Sequence, residues 1–157
     1  MVEGYGARVY RPQEDPLADA PIACHELDRE GSVTWVNDAE CRLLGLERSE
    51  ILGRPIWEFV SPGERDASRR AVLRKLAGGD PLPVFERGYV RPDGVSLILE
   101  IHEHYCHAED GTISGIRSFL LDITRRKHAE EGLLKAQEEL ESRIRERTEE
   151  LAGIEMG

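Results

Sequence analysis

The chain has 157 residues, 39% hydrophobic and 33% charged, with a formal net charge of −10. That length holds one domain with a sizeable core plus an appendage. The acidic balance argues against a phosphate-binding nucleic-acid surface, and no apolar run approaches the roughly 18 residues of a membrane span, so no membrane insertion is expected.

Residues 1–16 are polar and punctuated by Gly and Pro. They read as a flexible N-terminal arm without the apolar core of a signal peptide. Cys24, Cys41 and Cys106 are odd in number and scattered, which suits a reducing compartment and gives a cytoplasmic expectation. A short helix is predicted at Pro16–Ala20, with Pro at its first position. CHELD and SVTWVN read as two strands around an Arg29-Glu30-Gly31 turn. Asn37–Leu46 has helical spacing of Ala39, Leu43, Leu44 and Leu46, with Asn37 or Asp38 placed to cap. Gly45 and Gly53 punctuate two short turns, and Ser49-Glu50 opens the second. Pro62 starts a longer helix to about Leu76, with Ala67, Ala71, Val72 and Leu76 on one stripe, and GGDP ends it.

Three strand-like runs follow: VFERGYV, VSLILEIHEHYCH and TISGIRSFLLDIT, joined by turns at PDG and EDG. Two strands, several helices and three strands predict an α+β fold, a five-stranded antiparallel sheet with helices on one face. From Arg125 to about Leu151 the chain has no Pro and reads as one helix interrupted only at Gly132. Leu133, Leu140, Ile144, Leu151 and Ile154 fall on a heptad seam, with polar Gln137 and Arg147 in two seam positions. A stripe this narrow needs a partner helix, so a homodimeric coiled coil is expected. The predicted organisation is an arm at 1–16, a domain at 17–124 and a coiled-coil helix at 125–157.

These features resemble a PAS domain followed by a signalling coiled coil. The resemblance runs from ADAPIACHELDREGSVTWVNDAECRLLGLERSEILGRPIWEFVSP, through Arg87…Asp93-Gly94 and Glu109-Asp110-Gly111, to Asp122-Ile123-Thr124. The tail LESRIRERTEEL is similar to linkers that precede histidine kinase or cyclase output domains. Ser61-Pro62-Gly63-Glu64 departs from the His-Pro-x-Asp of many members. The resemblance implies a dimeric sensory module curled around an internal pocket, part of a two-component or similar system, with no output domain in this chain. It also implies that Asp122 and Thr124 fasten the sheet to the outgoing helix.

Strand alternation puts Leu97, Leu99, Ile101, Glu103 and Tyr105 on one side of the long strand, taken as inward. Matching the family's register adds Arg87 and Tyr89 on the preceding strand, and Ile116, Ser118 and Leu120 on the last. Glu103 therefore needs a partner. Either it meets Arg87 or water at a pocket mouth, or Arg87, Tyr89, Glu103 and Ser118 line a polar ligand site, with Trp57 nearby. The pocket's ligand is unknown from sequence. The resemblance implies no covalent flavin, because the family's blue-light branch carries a reactive Cys in the segment that here reads Pro55-Ile56-Trp57-Glu58-Phe59-Val60. It implies no His-ligated haem, because the family's oxygen sensors use a His on the long helix and GERDASRRAVLRKL has none. His102, His104 and Cys106 share the outer face and would suit zinc only with a third donor. The preferred reading has them covering the sheet against a dimer mate or the arm, and no metal site is assigned.

At the joint, Asp122 and Thr124 are placed to cap the next helix. Arg125 and Arg126 sit in its first turn, against the helix dipole, and call for acidic partners. Leu120 and Leu121 should grip the last strand from both sides. The leading function is a sensor relaying a ligand or interface signal through this joint to an output domain. A ligand-free dimerisation adaptor is the alternative. A small acid–base enzyme is remote, because Glu103 and His104 fall on opposite faces.

Overall fold

A computed structural model describes residues 16–155. The expected flexible arm, apart from Pro16, lies outside them. Residues 16–19 form a turn, closed by the Ala20 N–H donating to the Leu17 carbonyl at 3.3 Å, where a short helix was expected.

Strands β1 (Ala23–Leu27) and β2 (Val33–Val36) form the first hairpin. Its turn is built by Asp28, whose carboxylate accepts from the Glu30 and Ser32 N–H groups at 3.0 and 2.9 Å. Gly31 takes the left-handed φ of 82° that the turn requires. Asn37 then ends β2 and caps α1 (Asp38–Leu44), accepting from the Glu40 N–H. Gly45 closes that helix in the left-handed conformation. In α2 (Arg48–Ile51) the Glu50 carboxylate reaches back to the Glu47 N–H at 2.8 Å.

The longer helix starts later than expected. Pro62–Glu64 make a 3-10 turn, and α3 runs over Arg65–Gly78. Of the expected stripe, Val72 and Leu76 pack on the core and Ala71 lines the cavity between this helix and the sheet, while Ala67 is exposed and Ser68 is buried in its stead. Ser68, Val72, Lys75 and Leu76, at steps of four, three and one, share the face toward the sheet.

Strands β3 (Phe85–Val90), β4 (Ser96–His107) and β5 (Ile113–Asp122) complete a five-stranded antiparallel sheet in the order β2-β1-β5-β4-β3. The α+β architecture read from sequence is the one observed. Leu97, Leu99 and Ile101 alternate into the core, where they join Leu27, Val36, Leu44, Ile51, Val72 and Leu120. The Tyr105 O–H lies 3.1 Å from the Lys75 carbonyl and 2.8 Å from that of Asp80, at the end of α3.

The chain divides into two compact units after Asp122. The second is α4 (Thr124–Glu155), 32 residues and about 48 Å long. It passes through Gly132 without a break. Leu133, Leu140, Ile144, Leu151 and Ile154 are 58–73% exposed along it. Among the described residues no helix is long and apolar enough to cross a membrane.

Candidate functional site

The inner face of the sheet, with α1 and α3 opposite, borders a partly open cavity of about 260 Å³. That lies just below the roughly 300–1,000 Å³ of drug-sized sites. Most of its wall is apolar, with Leu44, Ile51, Val72, Leu99, Ile101 and Leu120 among its aliphatic members. Three of its polar groups share one rung of the sheet, where His25 of β1 stands opposite Ser118 of β5, and Ser118 opposite Glu103 of β4.

Each outer member of that rung is tied to a helix. His25 Nδ1 lies 2.7 Å from Glu40 Oε1 of α1, with the two side chains 5% and 2% exposed. Lys75 of α3 donates to Glu103 Oε2 at 2.7 Å. Burial works against a charged His25, yet the charge and hydrogen bond of Glu40, helped by the charge of Glu103, raise its pKa above the ordinary value. The two carboxylates thus favour the imidazolium form of His25 against its burial. With Nδ1 engaged, its other ring nitrogen is the one available to a molecule in the cavity. A single amide locks the frame around this pair. Asn37 is fully buried, accepts from the Cys24 and Glu40 N–H groups, and donates to the Leu17 and Ile22 carbonyls.

Of the residues singled out by sequence, Arg87, Tyr89, Leu99, Ile101, Glu103, Ser118 and Leu120 line this one cavity. Trp57 does not. It lies in the 3-10 turn Ile56–Phe59, packed against Gly31 with the Arg69 guanidinium 5.9 Å from its ring centroid. Nor does Glu103 meet Arg87. Lys75 reaches it first, and Arg87 instead stands 5.6 Å from the Phe85 centroid. The Tyr89 O–H is committed to the Leu44 carbonyl at 2.9 Å, and burial pushes its pKa up.

His25, Glu40 and Lys75 were not picked out in the sequence. Alternation in β1 carries a signal for His25, since Leu27 is core and residues two apart share a face. Glu40 and Lys75 carry none, because charged residues on short helices ordinarily face water.

On the outer face, His102 Nε2 lies 2.8 Å from Glu100 Oε1, and His104 meets Phe119 edge-on at 6.0 Å. Among the described residues no three His, Cys, Asp or Glu side chains gather to hold a metal. Cys41 is half-buried on α1, and burial raises its thiol pKa. At the joint, Asp122 ends β5 opposite Leu99, and Thr124 opens α4. The Ile123 carbonyl accepts the first helical bond, from the Lys127 N–H at 2.9 Å. Leu121 is 38% exposed, so the last strand is not gripped from both sides within this unit. Arg126 lies 3.7 Å from Glu130, and Lys127 Nζ lies 3.9 Å from the same carboxylate. Along α4, Gln137 donates to Glu141 at 3.0 Å.

A family model for the PAS domain matches residues 19–125. The chain belongs to the PAS domain family. It is 32% identical over 136 residues to the C4-dicarboxylate transport sensor protein DctS of Rhodobacter capsulatus, and 27% identical over 131 residues to sporulation kinase C of Bacillus subtilis. These matches take in 82% and 81% of this chain but only 19% and 30% of those proteins. Among solved structures, the PAS domain of an HTR-like protein from Haloarcula marismortui is 28% identical, with a TM-score of 0.56, covering 68% of this chain and 85% of that one. The PAS domain of BvgS from Bordetella pertussis has a TM-score of 0.62 at 21% identity, over 78% and 92% of the two chains. At that identity the likeness carries the fold alone.

Proposed function

We propose that this PAS domain is the sensory module of a histidine-kinase signalling protein. It binds a small molecule in its cavity and passes the effect through Asp122, Thr124, Arg125 and Arg126 into α4. Two copies of α4 pair in parallel along Leu133, Gln137, Leu140, Ile144, Arg147 and Leu151, and the signal continues to an output domain outside this chain. The module works in the cytoplasm, and its business is binding rather than turnover.

The observation that carries this reading is the composition of the cavity. A domain that only dimerises would fill its interior with side chains. Here two ion pairs, His25–Glu40 and Lys75–Glu103, border open space in a largely apolar interior. Taking charges out of water costs several kcal/mol per ion, so such groups persist where they serve something besides stability. The likeness to a sensor protein and a kinase supports the direction of output. The exposed apolar stripe of α4 supports pairing.

The test is native mass spectrometry and light scattering on the purified 157-residue chain. A dimer with a small molecule retained is the expected result. A monomer with α4 unfolded removes the relay. A dimer whose cavity accepts nothing is an adaptor.

A further inference from the structure

One charged group of the cavity lining stands apart from the rest. His25 is balanced by Glu40 and Lys75 by Glu103, whereas Arg87 has no carboxylate partner among the described residues. Its guanidinium is stationed by Phe85. That same ring carries Lys75 Nζ at 4.7 Å from its centroid, so both cations belong to one end of the cavity. Lys75 spends one N–H on Glu103 and has others to give. Arg87 presents a planar fork of donors suited to a carboxylate. Beside this end lie Val72, Leu99, Ile101 and Leu120, which have no polar side-chain atoms.

We infer that the cavity takes a small monocarboxylate with an apolar body, its carboxylate held by Arg87 and Lys75 over Phe85 and its body against the aliphatic wall. The class follows from the lining cation left without a carboxylate among the described residues. A carboxylate supplies that partner, a neutral molecule does not, and a cation is repelled by both Arg87 and Lys75. The volume limits the body to a short chain or a single ring. The inference rests on the cavity being a ligand site, and it names what that site selects.

The probes are hexanoate and hexanamide, alike in shape and different in charge, titrated into the full chain by calorimetry and by amide NMR. Hexanoate is expected to shift the signals of Arg87, Leu99, Ile101 and Ser118. Hexanamide is expected to bind about tenfold more weakly, the worth of one charge-assisted pair. Arg87→Gln should bring hexanoate to the level of the amide, and Arg87→Lys should retain part of the difference. An unchanged thermal midpoint in both variants shows that the fold is intact. Equal binding of hexanoate and hexanamide overturns the carboxylate class while leaving the cavity a ligand site. Hexanoate affinity unaffected by Arg87→Gln overturns the assignment of Arg87. Titrations that move no cavity residue overturn the inference altogether. The relay is judged separately, by oligomeric state.

Discussion

Glu40, 2% exposed, both closes the first turn of α1 and holds the buried His25. The sign of the resulting pH dependence follows from the raised pKa of His25. Its contribution is complete below its ordinary value of 6.5 and is lost as pH rises through the higher folded-state value. Urea midpoints are therefore expected to decline from pH 6 upward on this account. Glu40→Gln keeps an acceptor but removes the charge that outweighs burial. It should flatten that decline and cost about 1–3 kcal/mol at pH 6. A variant with the wild-type slope would show that another group titrates. Asn37 is as exacting. Its four hydrogen bonds join the first turn, β1 and α1, and Asn37→Ala should cost on the order of 3 kcal/mol by denaturant unfolding. Sequence alone marks Asn37 as a cap through its position before a helical run. It does not show that the other end of the amide binds two carbonyls, because both lie in irregular chain 15 and 20 residues away.

At the level of elements, the three C-terminal strands were legible because alternation and tight turns are local signals. The register between β1 and β5 was not, since it joins segments some 90 residues apart. Gly115 shows what the pattern hid. A Cβ there would come within 1.9 Å of the Leu27 carbonyl oxygen, a backbone atom that cannot swing aside. Gly115→Ala should cost on the order of 3 kcal/mol and push β1 away from β5. Wild-type amide protection in Ala23–Leu27 would contradict this. The burial of Ser68 in place of Ala67 on α3 was hidden for a related reason: small residues carry little preference for inside or outside, so only tertiary packing separates them. For α4, the polar seam positions Gln137 and Arg147 are expected to weaken pairing. Replacing both with Leu should raise the thermal midpoint of the helix and tighten the dimer. Unchanged concentration dependence would mean that a different face pairs.

The molecule as a whole carries a net charge of −10. Two copies brought together repel, and salt screens that repulsion over a length of about 8–10 Å near physiological strength. Dimerisation is thus expected to strengthen between low and moderate salt, which sedimentation across a salt series would measure. Weakening with salt would place attractive ion pairs at the interface instead. Against this background the Tyr105 hydroxyl, set between two carbonyls at the end of α3, has a mechanical consequence. It moors one end of the helix to the C-terminal part of β4. The opposite end begins after a short 3-10 turn whose residues are all exposed. Any solute entering beneath α3 should therefore lift its leading edge while the trailing edge stays pinned, like a flap sewn along one side. Deuterium uptake should then run faster at residues 65–69 than at 74–78.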